Sequence, residues 1–124
     1  MKRLFVDCDD TLALFEGEGI HPYGLLHGLP WKPNKPLIQR IKDFRAKNPD
    51  ALIVIWSGGG EDYARVWMER LLSDIDADAM TKVSTAMALC RQGDIVVDDQ
   101  PLAGISTIGP HDDWPIESVG TNGE

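Results

Sequence analysis

The sequence predicts an α/β fold in which an open, mainly parallel sheet carries helices on both faces. Three observations support this prediction. Short continuous apolar runs alternate with segments of helical periodicity, acidic or hydroxyl side chains follow the apolar runs, and no internal repeat divides the chain. A chain of 124 residues has the usual length of one domain and can bury roughly two thirds of its unfolded surface. We therefore expect a single domain over residues 1–124.

Three apolar runs have the character of strands buried on both faces. They are RLFV at residues 3–6, LIVIW at residues 52–56 and IVV at residues 95–97. Continuous apolar runs bounded by polar residues are typical of parallel strands, because helices cover both faces of such a sheet. Residues 77–80 and 106–108 are weaker strand candidates.

Helical periodicity fills the intervals between these strands. Apolar residues spaced three and four positions apart predict two amphipathic helices. Their stripes comprise Leu37, Ile38, Ile41 and Phe44 in the first helix, and Ala64, Trp67, Met68 and Leu71 in the second. The second helix has a clear start, because Glu61 and Asp62 place carboxylates at the positive end of its dipole. A third helix is predicted from about Ser84 to Arg91, ending before Gly93.

Residues 16–36, here called the flap, interrupt this alternation. They hold four glycines and four prolines, too many for regular helix or sheet, and so predict an ordered excursion directly after the first strand. Residues from about 111 to 124 are predicted to form an irregular tail.

Composition and charge argue against several classes of protein. The formal net charge is −8, from 12 Lys and Arg against 20 Asp and Glu, which opposes nonspecific adsorption to nucleic acid or anionic membranes. No apolar run approaches the ~18 residues of a membrane span, and the first residues turn acidic too soon for a signal peptide. We expect a cytoplasmic protein. Cys8 and Cys90 lack the spacing of a zinc site and are predicted to be buried thiols.

Acids follow the first and last strong strands, and a serine follows the middle one. These residues are Asp7, Asp9, Asp10, Ser57, Asp98 and Asp99. Ligands of open α/β sheets bind at the carboxyl ends of the strands, so we expect these side chains to meet in one crevice. Two carboxylates about 4 to 5 Å apart repel by roughly 3 to 4 kcal/mol at an effective dielectric constant near 20. The cluster therefore predicts a bound cation, and its oxygen ligands favour Mg²⁺.

Four motifs occur in a fixed order along the chain. They are DCDDTL after the first strand, LIVIWSGG over the second, a lysine at position 82, and VVDDQ after a later strand. Together they resemble the haloacid dehalogenase (HAD) superfamily of phosphohydrolases, over about residues 3–100. The most specific motif is DxDxT, formed by Asp7, Asp9 and Thr11. The resemblance implies a three-layer, Rossmann-like domain, and the short flap implies that it has no cap domain.

The resemblance also implies a role for each motif residue. Asp7 would be the nucleophile that forms an aspartyl phosphate, and Asp9 would protonate the leaving oxygen and then activate water. Lys82 would place its charge beside the transferring phosphoryl group. The implied phosphate-binding residues are Thr11, Ser57, Gly58 and Lys82. The implied Mg²⁺ ligands are Asp7, Asp9 through its backbone carbonyl, Asp98 and Asp99.

The chain departs from the family pattern at two positions. Asp10 stands where the family often has glycine, and QPLAG follows the second Asp pair where the family often has a further acid. Metal binding then rests on Asp98 and Asp99, and the sequence leaves open which of them is the direct ligand. Lys32 or Lys35 could also take the place of Lys82.

We predict a Mg²⁺-dependent phosphomonoesterase, a hydrolase. An open site suits an accessible phosphate ester, and a nucleotide or nucleic-acid end is the first choice. Only the basic residues from Lys32 to Lys47 support that choice, and the net charge opposes it. One alternative is a non-catalytic module that binds Mg²⁺ and phosphate. The other is a phosphatase of a phosphoprotein or of a small metabolite, with a partner subunit covering the open site.

Overall fold

The elements of the fold come from a computed structural model, which describes residues 2–19, 21, 23–83, 89–102 and 104–114. In chain order they are β1 (Arg3–Asp7), β2 (Ala13–Phe15), a 3-10 helix (Gly24–His27), β3 (Trp31–Pro33), α1 (Lys35–Lys47), β4 (Leu52–Ser57), α2 (Glu61–Leu71), β5 (Asp78–Thr81) and β6 (Ile95–Val97). Four strands form a parallel sheet in the order β5-β4-β1-β6, and β2 pairs with β3 in a separate antiparallel ribbon. The protein therefore has a small α/β fold with a mainly parallel sheet.

Side chains of the two central strands alternate between two apolar layers, as the period of a strand requires. The layer that contains the buried faces of both helices receives the side chains of Leu4, Val6, Ile53 and Ile55. The opposite layer receives Phe5, Val54 and Trp56, together with Val96 of the edge strand β6. The rings of Phe5 and Trp56 lie 4.8 Å apart in this second layer. The prediction that these strands are buried on both faces is confirmed.

Both predicted amphipathic helices are present. In α1 the stripe of Leu37, Ile41 and Phe44 is buried, and in α2 the buried residues are Tyr63, Ala64 and Trp67. Helix α2 begins after Gly60, whose φ of 110° is rarely adopted by other residues. Glu61 and Asp62 occupy its first turn as expected.

The flap contains more regular structure than its composition predicts. It includes the 3-10 helix and β3, and α1 begins at Lys35, inside the predicted excursion. The prediction was wrong because two of the prolines, Pro33 and Pro36, occupy positions that need no amide hydrogen. Pro33 ends a strand of a two-stranded ribbon, and Pro36 lies in the first turn of α1.

The outcomes of four other predictions are mixed. Residues 106–108 form no strand, since only Ile108 makes a single bridge to Val97. The third helix falls largely on residues 84–88, which lie outside the described residues, as does the tail from residue 115 onward. Cys8 is buried as predicted, whereas Cys90 is only partly buried. Within the described part of the chain, no helix combines the length and apolarity needed to cross a membrane.

The strand order brings the motif residues to one edge of the sheet. After β1 the chain adds β4 and then β5 on one side, and it returns to place β6 on the other side of β1. A reversal of this kind opens a crevice at the carboxyl ends of the strands. Asp7 ends β1, Ser57 ends β4, Lys82 follows β5 and Asp98 follows β6. The motif residues therefore converge although long stretches of chain separate them.

Candidate functional site

A cavity of about 160 Å³ opens at this edge of the sheet. Seven of the eight predicted site residues line it, namely Asp7, Asp9, Ser57, Gly58, Lys82, Asp98 and Asp99. The remaining wall includes His21 and Tyr23 of the flap. Lys32 and Lys35 line a different groove, beside the start of α1. Lys82 is thus the lysine that the structure brings to the strand-end acids.

Asp7 and Asp98 form the inner pair of acids and share one lysine. The Nζ of Lys82 lies 2.8 Å from Oδ1 of Asp7 and 2.7 Å from Oδ2 of Asp98. The backbone amide of Lys82 donates to the carbonyl of Ser57 at 2.8 Å, which continues the pairing of β4 with β5. This bond fixes the backbone from which the lysine reaches across β4 toward β1 and β6.

One lysine only partly neutralises these acids. Burial raises the pKa of Asp7 well above its usual range, and the charge of Asp98 adds to the effect while Lys82 opposes it. Burial also raises the pKa of Asp98, again against the influence of Lys82. Burial works against the charge of Lys82, but the two carboxylates outweigh it and raise the lysine pKa. A further cation at the carboxylates would therefore stabilise their ionised forms.

The donor set fits a hard divalent cation. Asp7, Asp98 and Asp99 can each offer a carboxylate oxygen such that all three atoms lie within 4.8 Å of one another. The backbone amide of Gln100 donates to Oδ1 of Asp98 at 2.9 Å and so orients that carboxylate. Ligands made only of oxygen favour Mg²⁺ over softer metals. Asp98 and Asp99 both offer an oxygen to this cluster, so the geometry leaves open which of them is the direct metal ligand.

Thr11 lies behind the acids rather than in the wall of the cavity. Its hydroxyl is fully buried and lies 3.1 Å from Oδ2 of Asp7 and 3.4 Å from Oδ1 of Asp99. The backbone amides of residues 11–13 all donate to the carbonyl of Cys8, which closes a tight turn after β1. The structure thus gives Thr11 a place in orienting Asp7, whereas the sequence suggested contact with phosphate.

Asp9 points toward the flap and α2. Its Oδ1 accepts a hydrogen bond from the hydroxyl of Tyr63 at 2.5 Å, and its Oδ2 accepts one from the backbone amide of Tyr23 at 2.9 Å. Burial raises the pKa of Asp9, although both hydrogen bonds oppose this shift. Burial and the neighbouring Asp9 raise the pKa of Tyr63, so the hydroxyl keeps its proton and donates.

Asp10 holds the flap from the other side. Its backbone has a φ of 60°, a left-handed conformation that favours glycine but that Asp tolerates. Its carboxylate accepts the backbone amide of His21 at 2.7 Å and lies 2.8 Å from Nδ1 of the same residue. The acid at this position therefore anchors the chain above the cavity.

The glycines after β4 leave room for an aromatic ring. The Oγ of Ser57 accepts the amide of Gly59 at 3.0 Å, so the serine stabilises this turn and is not the N-cap of α2, which is Gly60. A Cβ atom at Gly58 would lie 3.1 Å from the Tyr23 hydroxyl oxygen, and one at Gly59 would lie 2.9 Å from Cδ1 of the same ring. Glycine at both positions thus lets the Tyr23 ring pack against the turn without closing the turn off from the cavity.

No protein-family model, curated protein or solved structure matches the chain. The chemistry of the site must therefore be inferred from its own geometry. Sequence reasoning did not identify His21, Tyr23 or Tyr63 as functional residues. A signal existed for Tyr63, because it lies four residues before Trp67 on the buried stripe of α2, where a tyrosine hydroxyl needs a polar partner.

Proposed function

We propose that the protein is a Mg²⁺-dependent phosphomonoesterase of the HAD superfamily, with Asp7 as the nucleophile. The observation that carries the proposal is the surrounding of Asp7. This carboxylate lies at the end of the central strand, 2.8 Å from the ammonium group of Lys82 and within reach of a second and third carboxylate. A carboxylate attacks without first losing a proton, and a neighbouring cation can stabilise charge on a phosphoryl group.

The fold supports the same assignment. We propose that the sheet belongs to a three-layer, Rossmann-like domain without a cap. The second apolar layer, which includes Phe5, Val54 and Trp56, is almost fully buried. Another part of the chain must therefore pack on the face of the sheet opposite the two helices. Among the described residues, the flap and the segment from residue 58 to 81 hold only short elements, which supports a domain without a cap.

Asp7, the backbone carbonyl of Asp9, Asp98 and Asp99 would hold the metal. Bound Mg²⁺ would offset the negative charge of the carboxylates and the substrate and withdraw electrons from the phosphoryl group. The positions of Ser57 and Gly58 in the cavity wall suit donation from a hydroxyl and an amide to phosphoryl oxygens.

The reaction would proceed in two displacements. In the first, the carboxylate of Asp7 attacks phosphorus, the bond from phosphorus to the ester oxygen breaks, and the leaving oxygen takes a proton from Asp9. In the second, water attacks the phosphorus of the aspartyl phosphate and gives a proton to Asp9. Inorganic phosphate leaves, and Asp7 returns as a carboxylate.

The substrate proposed first is the phosphate of a nucleotide or nucleic-acid end. Of the six basic residues from Lys32 to Lys47, Lys47 and three others already interact with other groups of the chain. Arg40 pairs with Asp113, Lys42 pairs with Asp74, and Arg45 donates to backbone carbonyls that include that of Ala51. Support for a polyanion thus rests on Lys32 and Lys35, which line the groove beside α1. We also propose a cytoplasmic location, with which the two free cysteines are compatible.

A panel of phosphate esters tests the function. It should contain an aryl phosphate, nucleotides, 3′- and 5′-phosphorylated oligonucleotides, phosphopeptides and sugar phosphates, each with Mg²⁺ or with a chelator. We expect Mg²⁺-dependent turnover that falls at least about a thousandfold in Asp7→Asn, measured as release of inorganic phosphate. Asp50→Asn is the matched control, since Asp50 is an exposed acid in the turn before β4.

Turnover that survives Asp7→Asn, or that ignores the chelator, would contradict the mechanism. If no ester is hydrolysed, calorimetric titration with Mg²⁺ and then with inorganic phosphate decides the alternative. Binding of both ligands by the wild-type protein would then favour the non-catalytic module.

A further inference from the structure

Tyr63 joins three parts of the molecule at the edge of the cavity. It lies in the first turns of α2 and is 6% exposed. Its ring packs edge-on against Tyr23, with the centroids 5.9 Å apart, and against Trp67 at 6.4 Å. Its hydroxyl lies between Asp9 and the backbone amide of Leu25 in the flap. The side chain is therefore held by packing as well as by hydrogen bonds.

The hydrogen bonds define the direction in which the hydroxyl donates. The amide of Leu25 lies 3.3 Å from the Tyr63 oxygen and can only donate, so it occupies a lone pair of that oxygen. The hydroxyl hydrogen is then directed to Oδ1 of Asp9, 2.5 Å away. This donor belongs to α2, whereas the amide of Tyr23 that binds Oδ2 belongs to the flap.

Two donors on different elements fix both oxygens of the Asp9 carboxyl group. With a single donor the group could still turn about its Cβ–Cγ bond to offer either oxygen, and the second donor restricts this rotation. Proton transfer requires the carboxyl group and the leaving oxygen to meet in a narrow range of distances and angles, and a small misplacement costs much of the rate. Tyr63 does not line the cavity, so it acts on the substrate only through Asp9.

We propose that Tyr63 is the positioning residue for Asp9, whose carboxyl group it holds in the orientation needed to protonate the leaving oxygen. This inference rests on the proposed phosphatase function and extends it to a residue outside the four motifs. It also gives the flap a part in catalysis, because Leu25 orients the hydroxyl that orients Asp9.

Leaving-group dependence distinguishes this role from a merely structural one. An aryl oxide leaves with little help from an acid, whereas an alkyl oxide needs a proton as the bond to phosphorus breaks. The ratio kcat/KM reports the steps up to the first irreversible one, which here include departure of the leaving group. A misplaced Asp9 should therefore reduce kcat/KM for alkyl phosphates more than for p-nitrophenyl phosphate.

The principal variant is Tyr63→Phe, which retains the ring and its packing. We expect kcat/KM to fall about tenfold or more for glycerol 2-phosphate and less than about threefold for p-nitrophenyl phosphate. In Asp9→Asn, the added Tyr63→Phe change should have no further effect on the alkyl substrate, because the two residues act as one unit. Equal losses on both substrates, or additive losses in the double variant, would overturn the inference.

Two further variants keep the test decisive. Tyr63→His retains a ring N–H donor. Its ratio of alkyl to aryl kcat/KM should therefore stay closer to the wild-type ratio than the ratio measured for Tyr63→Phe. A change in this ratio as large as that in Tyr63→Phe, or larger, contradicts the inference. Phe44→Leu perturbs the core in α1, away from Asp9, and should lower Tm while changing that ratio less than about twofold. A tenfold change in this control would show that lost stability alone alters leaving-group dependence, and it would overturn the inference.

Failure of the inference is separable from failure of the function. A wild-type protein without Asp7-dependent turnover contradicts the proposed function itself. An enzyme that needs Asp7 but shows equal losses in Tyr63→Phe keeps its function and removes Tyr63 from its mechanism.

Discussion

The acids of the site form two pairs whose surroundings differ. The inner pair, Asp7 and Asp98, is bound by the single charge of Lys82. The outer pair, Asp9 and Asp10, accepts hydrogen bonds from the flap and from Tyr63. The inner acids retain an excess of negative charge that suits a cation, whereas the outer acids are held in fixed orientations. Residues 7–10 thus supply one acid of the charged centre, Asp7, and both acids that anchor the loop above it.

The difference shows how one motif can serve two purposes. Charge that is only partly compensated in a buried place is costly, and binding a cation relieves that cost. Hydrogen bonds from the backbone and from a tyrosine hydroxyl set geometry without adding net charge. Variants that alter the inner pair should therefore change metal binding and stability, whereas variants of the outer pair should change the order of the flap.

The largest effect on stability is expected from removal of the shared cation. Lys82→Met leaves two buried carboxylates without their ammonium partner, so the free energy of unfolding without Mg²⁺ should fall by about 3 kcal/mol. Addition of Mg²⁺ should restore part of the loss. Urea unfolding followed by circular dichroism measures both values, and an unchanged midpoint without Mg²⁺ would show that the lysine does not stabilise the inner pair.

A smaller effect of opposite sign is expected when one inner acid is neutralised. Because burial and Asp98 raise the pKa of Asp7, its charge destabilises the folded protein at neutral pH. Asp7→Asn should therefore raise the free energy of unfolding by about 1 kcal/mol without Mg²⁺, visible as an increase in Tm. Millimolar Mg²⁺ should raise the Tm of the wild type and of Asp50→Asn, but not that of Asp7→Asn.

The increase in the free energy of unfolding caused by Asp7→Asn should also depend on pH in a defined direction. An acid whose pKa is raised by folding binds its proton more tightly in the folded state. Its favourable contribution is complete below the unfolded pKa of about 3.9 and is lost as pH rises through the raised pKa. The stability advantage of Asp7→Asn should therefore be smallest below about pH 4 and grow as pH rises. A constant advantage across this range would contradict the cause given for the shift.

The smallest effect on global stability is expected in the outer pair. Asp10→Gly suits the left-handed backbone but removes both contacts with His21. The free energy of unfolding should change by less than about 1 kcal/mol, while proteolytic cleavage within the flap should become several times faster. Asp50→Asn serves again as the control, and equal cleavage rates in wild type and Asp10→Gly would show that this contact does not hold the flap.

The inner pair could be predicted from the sequence because its geometry follows from the sheet. Asp7 and Asp98 come directly after apolar strands, and parallel strands end at a common edge, so their meeting needs no knowledge of the loops. The sequence left Lys82 open against Lys32 and Lys35, and the structure places Lys82 at the same edge, one residue after β5. Continuous apolar runs likewise predicted β1, β4 and β6, a weaker candidate at residues 77–80 predicted β5, and apolar residues at helical spacing predicted α1 and α2.

The partners of the outer pair could not be predicted in the same way. Tyr63 and Asp9 are 54 positions apart, and Tyr23 and Asp9 are 14 apart. The first contact depends on how α2 packs against the segment after β1, and the second on how the flap folds back; periodicity gives information about neither. The orientation of Thr11 similarly depends on a tight turn, closed by hydrogen bonds to the carbonyl of Cys8, that no spacing rule specifies.

The packing of Tyr23 against the turn after β4 has an evolutionary consequence. The tyrosine ring and the turn compete for the same space, because a Cβ at Gly59 would lie 2.9 Å from the ring. A side chain at position 59 is thus expected to require a smaller residue at position 23. Among divergent descendants of this chain, a larger residue at position 59 should occur where position 23 has become small. Such co-variation would connect the sequence history of the flap with that of the turn after β4 beneath it.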